Sequence, residues 1–62
     1  MRAILTLSSG ERLDVGIPNR YLAKPGKPIF LERAEDIFRQ EFGRMITDGS
    51  TIVKVHLIRT DL

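Results

Sequence analysis

The sequence predicts a small two-layer α+β domain of ββαβ-like order. Three observations support this fold class: an alternating apolar hairpin at the start, one amphipathic helical segment in the middle and a β-branched alternating segment near the end. Because one helix can cover one face of a small sheet, we expect the helix to pack on the sheet that the strands form. Residues 1–62 are expected to be a single domain.

The first two strands are expected to form a β-hairpin over residues 1–17. Its alternating apolar residues are Ala3, Leu5, Leu7, Leu13, Val15 and Ile17. A two-residue turn at Ser9-Gly10 would divide these side chains between the two faces. A three-residue loop with Gly10 in a left-handed G1 bulge instead pairs Leu5 with Leu13 and Ala3 with Val15. We predict this second register, because it keeps all the apolar side chains on one face.

The hairpin resembles the opening of ubiquitin-like β-grasp proteins, which also begin at a first methionine and use a glycine bulge. The resemblance covers residues 1–17 and implies β-grasp as one topology for the sheet. In that family the helix follows soon after the second strand, whereas here a long proline-containing segment intervenes. The family's conjugating and sulfur-carrier members end in Gly-Gly, whereas this chain ends in RTDL, so carrier chemistry at the terminus is not expected.

That intervening segment, PNRYLAKPGKP at residues 18–28, contains every proline of the chain. It carries Arg20, Lys24 and Lys27, and it contains no acid. Two interpretations are open. The segment is a connector pinned to the body by Tyr21 and Leu22, or it is a stiff basic binding loop with Tyr21 as its anchor. The PIFL sequence that follows is expected to be a short extended segment, forming an edge strand.

The segment ERAEDIFRQEFGRM, residues 32–45, predicts the amphipathic helix. At about 100° per residue, one stripe of roughly 140° contains apolar side chains. These are Ala34, Ile37, Phe38, Phe42 and Met45, with Glu32, Asp36, Arg39 and Gln40 on the opposite side. Glu41 falls inside the apolar stripe. It either reaches solvent from the last turn of the helix or makes a buried polar contact to His56, Lys54 or a ligand.

The segment ITDGSTIVKVHLIRT predicts a turn at Asp48-Gly49 and then the last strand. Its density of β-branched residues favours the central position in the sheet. We expect Val53, Val55 and Leu57 on the core face. The other face is expected to hold Ile52, Lys54, His56 and Ile58.

The composition excludes several chemistries. The chain has no cysteine and a single histidine, so neither disulfides, zinc fingers nor a multi-histidine metal site are expected. Its glycines are scattered singly and form no phosphate-binding motif. His56 has no nucleophile or second base at a spacing that indicates catalysis. We therefore expect a protein that is not an enzyme and uses no cofactor.

The remaining function classes depend on surfaces. The sheet face without a helix is expected to show cations with aliphatic residues between them, and no aromatic residue for base stacking. A net charge of +2 is low for a dedicated duplex binder. We predict a small non-enzymatic protein-binding module, with a small basic nucleic-acid-binding protein as the alternative. The partner-binding residues are predicted to be Arg20, Tyr21, Lys24, Lys27, Arg2, Arg12, Lys54 and His56.

Size and element order add one further resemblance. The chain is similar in length and shape to small phage-encoded proteins that bind host machinery, such as anti-CRISPR proteins and RNA polymerase inhibitors. This implies a modulator or inhibitor of a host protein complex. With no apolar run long enough to span a membrane, a cytoplasmic location is expected, and homodimerisation is left open because so short a chain buries a small core.

Overall fold

The computed structural model describes residues 1–59, and residues 60–62 at the end of the RTDL tail lie outside the described part. The elements are β1 (Arg2–Leu7), β2 (Arg12–Gly16), α1 (Asn19–Leu22), α2 (Leu31–Gly43) and β3 (Ile52–Ile58). The strands form one antiparallel sheet of order β2-β1-β3, and α2 packs on one face of it. The predicted two-layer α+β fold of ββαβ-like order is confirmed.

The hairpin between β1 and β2 has the predicted register. Leu5 lies opposite Leu13, and Ala3 lies opposite Val15. In the loop, the Gly10 amide donates to the carbonyl of Leu7 at 2.9 Å, and the Leu7 amide donates to the carbonyl of Glu11 at 2.8 Å. Gly10 has a φ of +91°, the left-handed conformation that a G1 bulge requires. Ala3, Leu5 and Leu7 consequently share the face that α2 covers, while Ile4 lies on the other face.

The central strand is β1, and the prediction that β3 occupies this position is wrong. β1 pairs with β2 on one side and with β3 on the other. β-branched density indicates a half-buried pleated surface, which an edge strand also offers. β3 runs antiparallel to β1.

A β-bulge in β3 changes which of its residues face the core. Thr6 lies opposite Lys54, but Leu7 lies opposite Ile52, so Val53 is the extra residue. Ile52 packs against the core, while Val53 is 56% exposed. The predicted faces of these two residues are therefore wrong, because simple alternation does not survive an inserted residue. From Lys54 onward the predicted alternation holds.

Helix α2 supplies the second layer of the core. Ala34 and Phe38 are fully buried, and the ring of Phe38 stacks on that of Phe42 with centroids 5.9 Å apart. The helix ends at Gly43, so Met45 is outside it and is 71% exposed. The expected core role of Met45 is wrong, because the chain leaves the helical path before this residue.

Residues 17–30 connect β2 to α2. The short helix α1 buries Leu22, and the amino group of Met1 donates to the Ile17 carbonyl and to Oδ1 of Asn19, at 2.8 and 2.6 Å. Phe30 in the PIFL segment has the expected extended backbone, but the segment forms no edge strand of the sheet, and Leu31 already begins α2. Within residues 1–59, no helix is long and apolar enough to cross a membrane.

Candidate partner-binding surfaces

The structure divides the predicted partner-binding residues between two sides of the molecule. Four of them lie on the sheet face opposite the helices, here called the open face: Arg2, Arg12, Lys54 and His56. The other four lie on α1 and the turn after it: Arg20, Tyr21, Lys24 and Lys27. The prediction from the sequence placed these eight residues in one set, but in the structure the sheet lies between the two groups.

At one end of the open face, Arg2 and Asp14 form an ion pair. Arg2 Nε donates to Oδ1 of Asp14 at 3.2 Å, and a second contact joins its Nη2 to Oδ2. Arg12 and Lys54 lie on either side of Thr6, and both are exposed. This face therefore offers two cations without a charge partner among the described residues, separated by a threonine.

His56 is exposed on the open face, across from Ile4 of β1. Its imidazole makes no hydrogen bond to another described residue, so no side chain orients it or takes a proton from it. No group of three or more potential ligands within residues 1–59 is placed to hold a metal ion. These positions give the histidine a solvated environment.

On the helix side, α1 and the second half of α2 leave an open concavity of about 490 Å³, here called the apolar groove. Its lining residues are Ile17, Tyr21, Ile37, Glu41, Phe42 and Met45. Five of the six are apolar or aromatic. Ile37 and Phe42 also pack against the core, so the floor of the groove is fixed by the fold.

Tyr21 is the exposed wall of this groove. Its side chain is 64% exposed, and the Arg20 guanidinium lies 5.0 Å from the centre of its ring. A cation over the ring face favours that orientation of the two side chains. Leu22, the next residue, is only 2% exposed. The connector is therefore held by Leu22, while Tyr21 points outward.

Glu41 lies at the rim of the apolar groove. Its side chain is exposed and makes no hydrogen bond or ion pair with another residue among those described. His56 and Lys54 lie on the open face, on the other side of the sheet, so neither is its partner. Of the two interpretations that the sequence left open, the structure supports a side chain that reaches solvent.

A second concavity, about 420 Å³ in volume, lies where α1 ends and α2 begins. We call it the basic groove. Its lining residues are Leu22, Ala23, Lys24, Lys27, Pro28, Phe30 and Arg33. The sequence identified the two lysines but not Phe30 or Arg33, because Phe30 was placed in a strand and Arg33 was not assigned to a face. Phe30, immediately before α2, is 66% exposed.

Comparison with protein-family models, with curated proteins and with solved structures gives no match for this chain. No relative therefore indicates a ligand or a partner. The function has to follow from the two grooves and the open face themselves.

Proposed function

We propose that this chain is a small non-enzymatic protein-binding module that contacts its partner through the apolar groove. The exposure of Tyr21 and Met45, 64% and 71%, is the observation that carries this proposal. Both side chains line the same groove over a floor of packed core residues. Exposed apolar side chains gathered around a concavity are typical of interaction sites, whereas scattered ones are normal.

The residue types of the groove suit protein recognition. Tyrosine supplies a large contact area with few rotatable bonds, and it is enriched among residues that dominate binding energy. Methionine is flexible and polarizable, so Met45 adapts its shape to an incoming side chain. Arg20 and Glu41 at the edge supply opposite charges, as in the polar rim that surrounds an interface core.

The non-enzymatic part of the proposal is supported by the environment of His56. A general base needs a hydrogen-bonded nucleophile or substrate within reach, and an orienting group on its other nitrogen. Among the described residues His56 contacts neither. The grooves lie on the helix side, away from this histidine, so binding at them does not involve its imidazole.

Nucleic-acid binding is the second candidate function, and the basic groove is the observation that favours it. A phosphate backbone contacts cations along an extended track, and its affinity falls steeply with salt. Here Arg12 and Lys54 lie on the open face, whereas Lys24 and Lys27 lie on the helix side. No phenylalanine, tyrosine or tryptophan lies on the strands of the open face to stack on bases. We therefore rank protein binding first.

The proposal is tested by affinity capture from a lysate of the cells that produce the protein, with and without nuclease. The variant carries Tyr21→Ala and Met45→Ala together, and its matched control is Val53→Ala. Val53 is also an exposed apolar residue, at 56%, but it lies in the bulge of β3. We expect the double variant to capture at least about tenfold less partner protein, because the side chains of Tyr21 and Met45 supply much of the contact surface.

The control should retain its partner, and nuclease should change nothing. Equal capture by the wild type, the double variant and the control would show that the apolar groove is not the contact surface. Capture of nucleic acid that disappears with nuclease would favour the second candidate. Thermal unfolding of each variant shows whether a loss of capture comes instead from a loss of folding.

Three finer predictions from the sequence belong to this proposal. A module without catalytic groups acts by occupying a surface, so modulation or inhibition of a host complex is the role we propose, supported by likeness in size and element order. A cytoplasmic location is proposed with it. Homodimerisation stays a prediction, which native mass measured at two protein concentrations tests directly.

A further inference from the structure

We propose that the basic groove binds an acidic segment of the partner protein that also carries an apolar side chain. This inference rests on the proposed protein-binding function and specifies the chemistry of the partner. It concerns the groove formed by the end of α1, the turn after it and the first turn of α2.

Charge is the first reason. Lys24, Lys27 and Arg33 line the groove, and no acidic residue does. The side chains of these three residues make no ion pair with another described residue. Glu32 and Asp36 lie in a separate shallow hollow on the adjoining side of α2, which Arg33 also borders. Clustered cations without a partner favour an incoming carboxylate, because their mutual repulsion is relieved when it binds.

The backbone holds two of these cations close together. The amide of Lys27 donates to the carbonyl of Lys24 at 3.0 Å, closing a turn in which Gly26 has a φ of +75°. The first and last residues of such a turn have Cα atoms less than about 7 Å apart. One acidic segment therefore reaches both ammonium groups, and little loop ordering is required on binding.

The groove also has an apolar part. Its floor includes Leu22, which is 2% exposed, and its wall includes Phe30, which is 66% exposed. Pro28, two residues before Phe30, has its own φ fixed by its ring. A purely ionic ligand would leave this apolar surface in water. An acidic segment with a leucine or an aromatic side chain would cover it and gain from its burial.

The two grooves are linked by one row of α2. Arg33, Ile37 and Glu41 are spaced four residues apart, so they follow one another along the same side of the helix. Arg33 lines the basic groove, and the other two line the apolar groove. The row is about 12 Å long at the helical rise per residue. A partner segment that lies along it contacts both grooves.

The test uses amide NMR titrations of the whole chain with defined probes. The first probe is a short synthetic peptide in which glutamate alternates with leucine and phenylalanine. Two more peptides have lysine or serine in place of glutamate, and the fourth probe is oligo-dT. We expect only the glutamate peptide to bind among the peptides, to move the amides of residues 22–33, and to bind more weakly as salt is raised.

Charge removal identifies the site. The double variant Lys24→Gln with Lys27→Gln should bind the glutamate peptide at least about tenfold more weakly. Its matched control, Arg44→Glu, makes the same change in net charge at an exposed residue that lines neither groove. The control should bind as the wild type does if the groove, rather than the total charge, recognises the acid. Equal losses in both variants would overturn the inference.

The outcomes also separate this inference from the proposed function. If the glutamate peptide does not bind while Tyr21-dependent capture persists, the acidic partner is wrong and the protein-binding module stands. If oligo-dT binds and the glutamate peptide does not, the basic groove is a nucleic-acid site and the inference fails. If the peptide binds without Tyr21-dependent capture, the basic groove is supported and the apolar groove is not the contact surface.

Discussion

Nη1 of Arg39 donates a hydrogen bond of 3.0 Å to the backbone carbonyl of Ile52. The same guanidinium contacts Oε1 of Glu35, one turn earlier on α2, at 3.1 Å. It thus joins the helix to the residue of β3 that lies beside the bulged Val53. The sequence assigned Arg39 to the solvent side of the helix, but the structure gives it a specific acceptor in the sheet.

Replacing Arg39 by methionine should destabilise the fold by about 1–2 kcal/mol, because a charged donor to the Ile52 carbonyl is lost while the apolar stem is kept. Urea unfolding measures the difference. Arg44→Met is the control, since Arg44 is exposed and makes no hydrogen bond through its side chain to a described residue. Equal unfolding midpoints for the two variants would show that the bond to Ile52 contributes nothing.

Truncation of Phe38 to alanine should cost about 3–5 kcal/mol, because its ring is fully buried between α2 and the sheet. That is a large part of the stability of so small a domain, and we expect the variant to be mostly unfolded at room temperature. Far-ultraviolet circular dichroism with thermal melting measures this. Phe30→Ala removes an equal side chain at a 66% exposed site and should melt as the wild type does.

Two glycines should respond in opposite directions to alanine. Gly10 has a φ of +91°, so Gly10→Ala should destabilise the hairpin by about 1 kcal/mol. Gly43 is the last residue of α2, and an added Cβ would have nothing within 4 Å. Gly43→Ala should therefore raise the free energy of unfolding by about 0.5–1 kcal/mol. Thermal unfolding of both variants tests the pair. A stabilising Gly10→Ala would contradict the left-handed loop.

Asp48 should make the turn before β3 sensitive to acid. The Ser50 amide donates to Oδ1 of Asp48 at 2.9 Å, and this bond lowers the pKa of the carboxyl below its ordinary value of 3.8. The folded pKa lies below the unfolded one. The stabilisation is therefore complete above the unfolded pKa and is lost as pH falls through the folded pKa.

Melting temperatures of the wild type and Asp48→Ala, measured from neutral pH into the acid range, test this expectation. The difference between them should be present at neutral pH and shrink below the ordinary pKa of aspartate. Asp48→Asn keeps an oxygen acceptor for the Ser50 amide, so its advantage over alanine should not depend on pH. A constant difference between wild type and alanine would show that the carboxylate charge is irrelevant.

The fold was predictable where a local pattern and a turn requirement agreed. Only one hairpin register keeps the apolar side chains of both strands together, and Gly10 permits it. The buried positions Ala34 and Phe38 follow from helical periodicity. The strand order did not follow, because pairing of β1 with β3 is a long-range choice. The bulge at Val53 could not be predicted either, because β3 contains no glycine or proline that would indicate an irregular position.

The candidate site was predictable only in part. Tyr21, Lys24 and Lys27 stood out because the proline-containing segment has no acid. Met45 was missed because α2 ends at Gly43, two residues before it, and Phe30 was missed because its segment was expected to form an edge strand. Arg12 and Lys24 lie on opposite sides of the sheet, and this separation cannot be predicted from composition because it depends on how the strands pair. Glu41 was the sequence feature that indicated the apolar groove, because a carboxylate inside an apolar helical stripe shows that this part of the stripe is not fully buried.

The position of β1 between β2 and β3 has a consequence for synthesis of the chain. Its hairpin partner follows within a few residues, but its other partner, β3, is made only after β2 and both helices. A lone two-stranded hairpin is marginally stable in water, and its apolar side has no cover before α2 emerges. Residues 52–58 must therefore leave the ribosome before the sheet can be completed, and we expect the three strands to assemble only after α2 and β3 have both emerged.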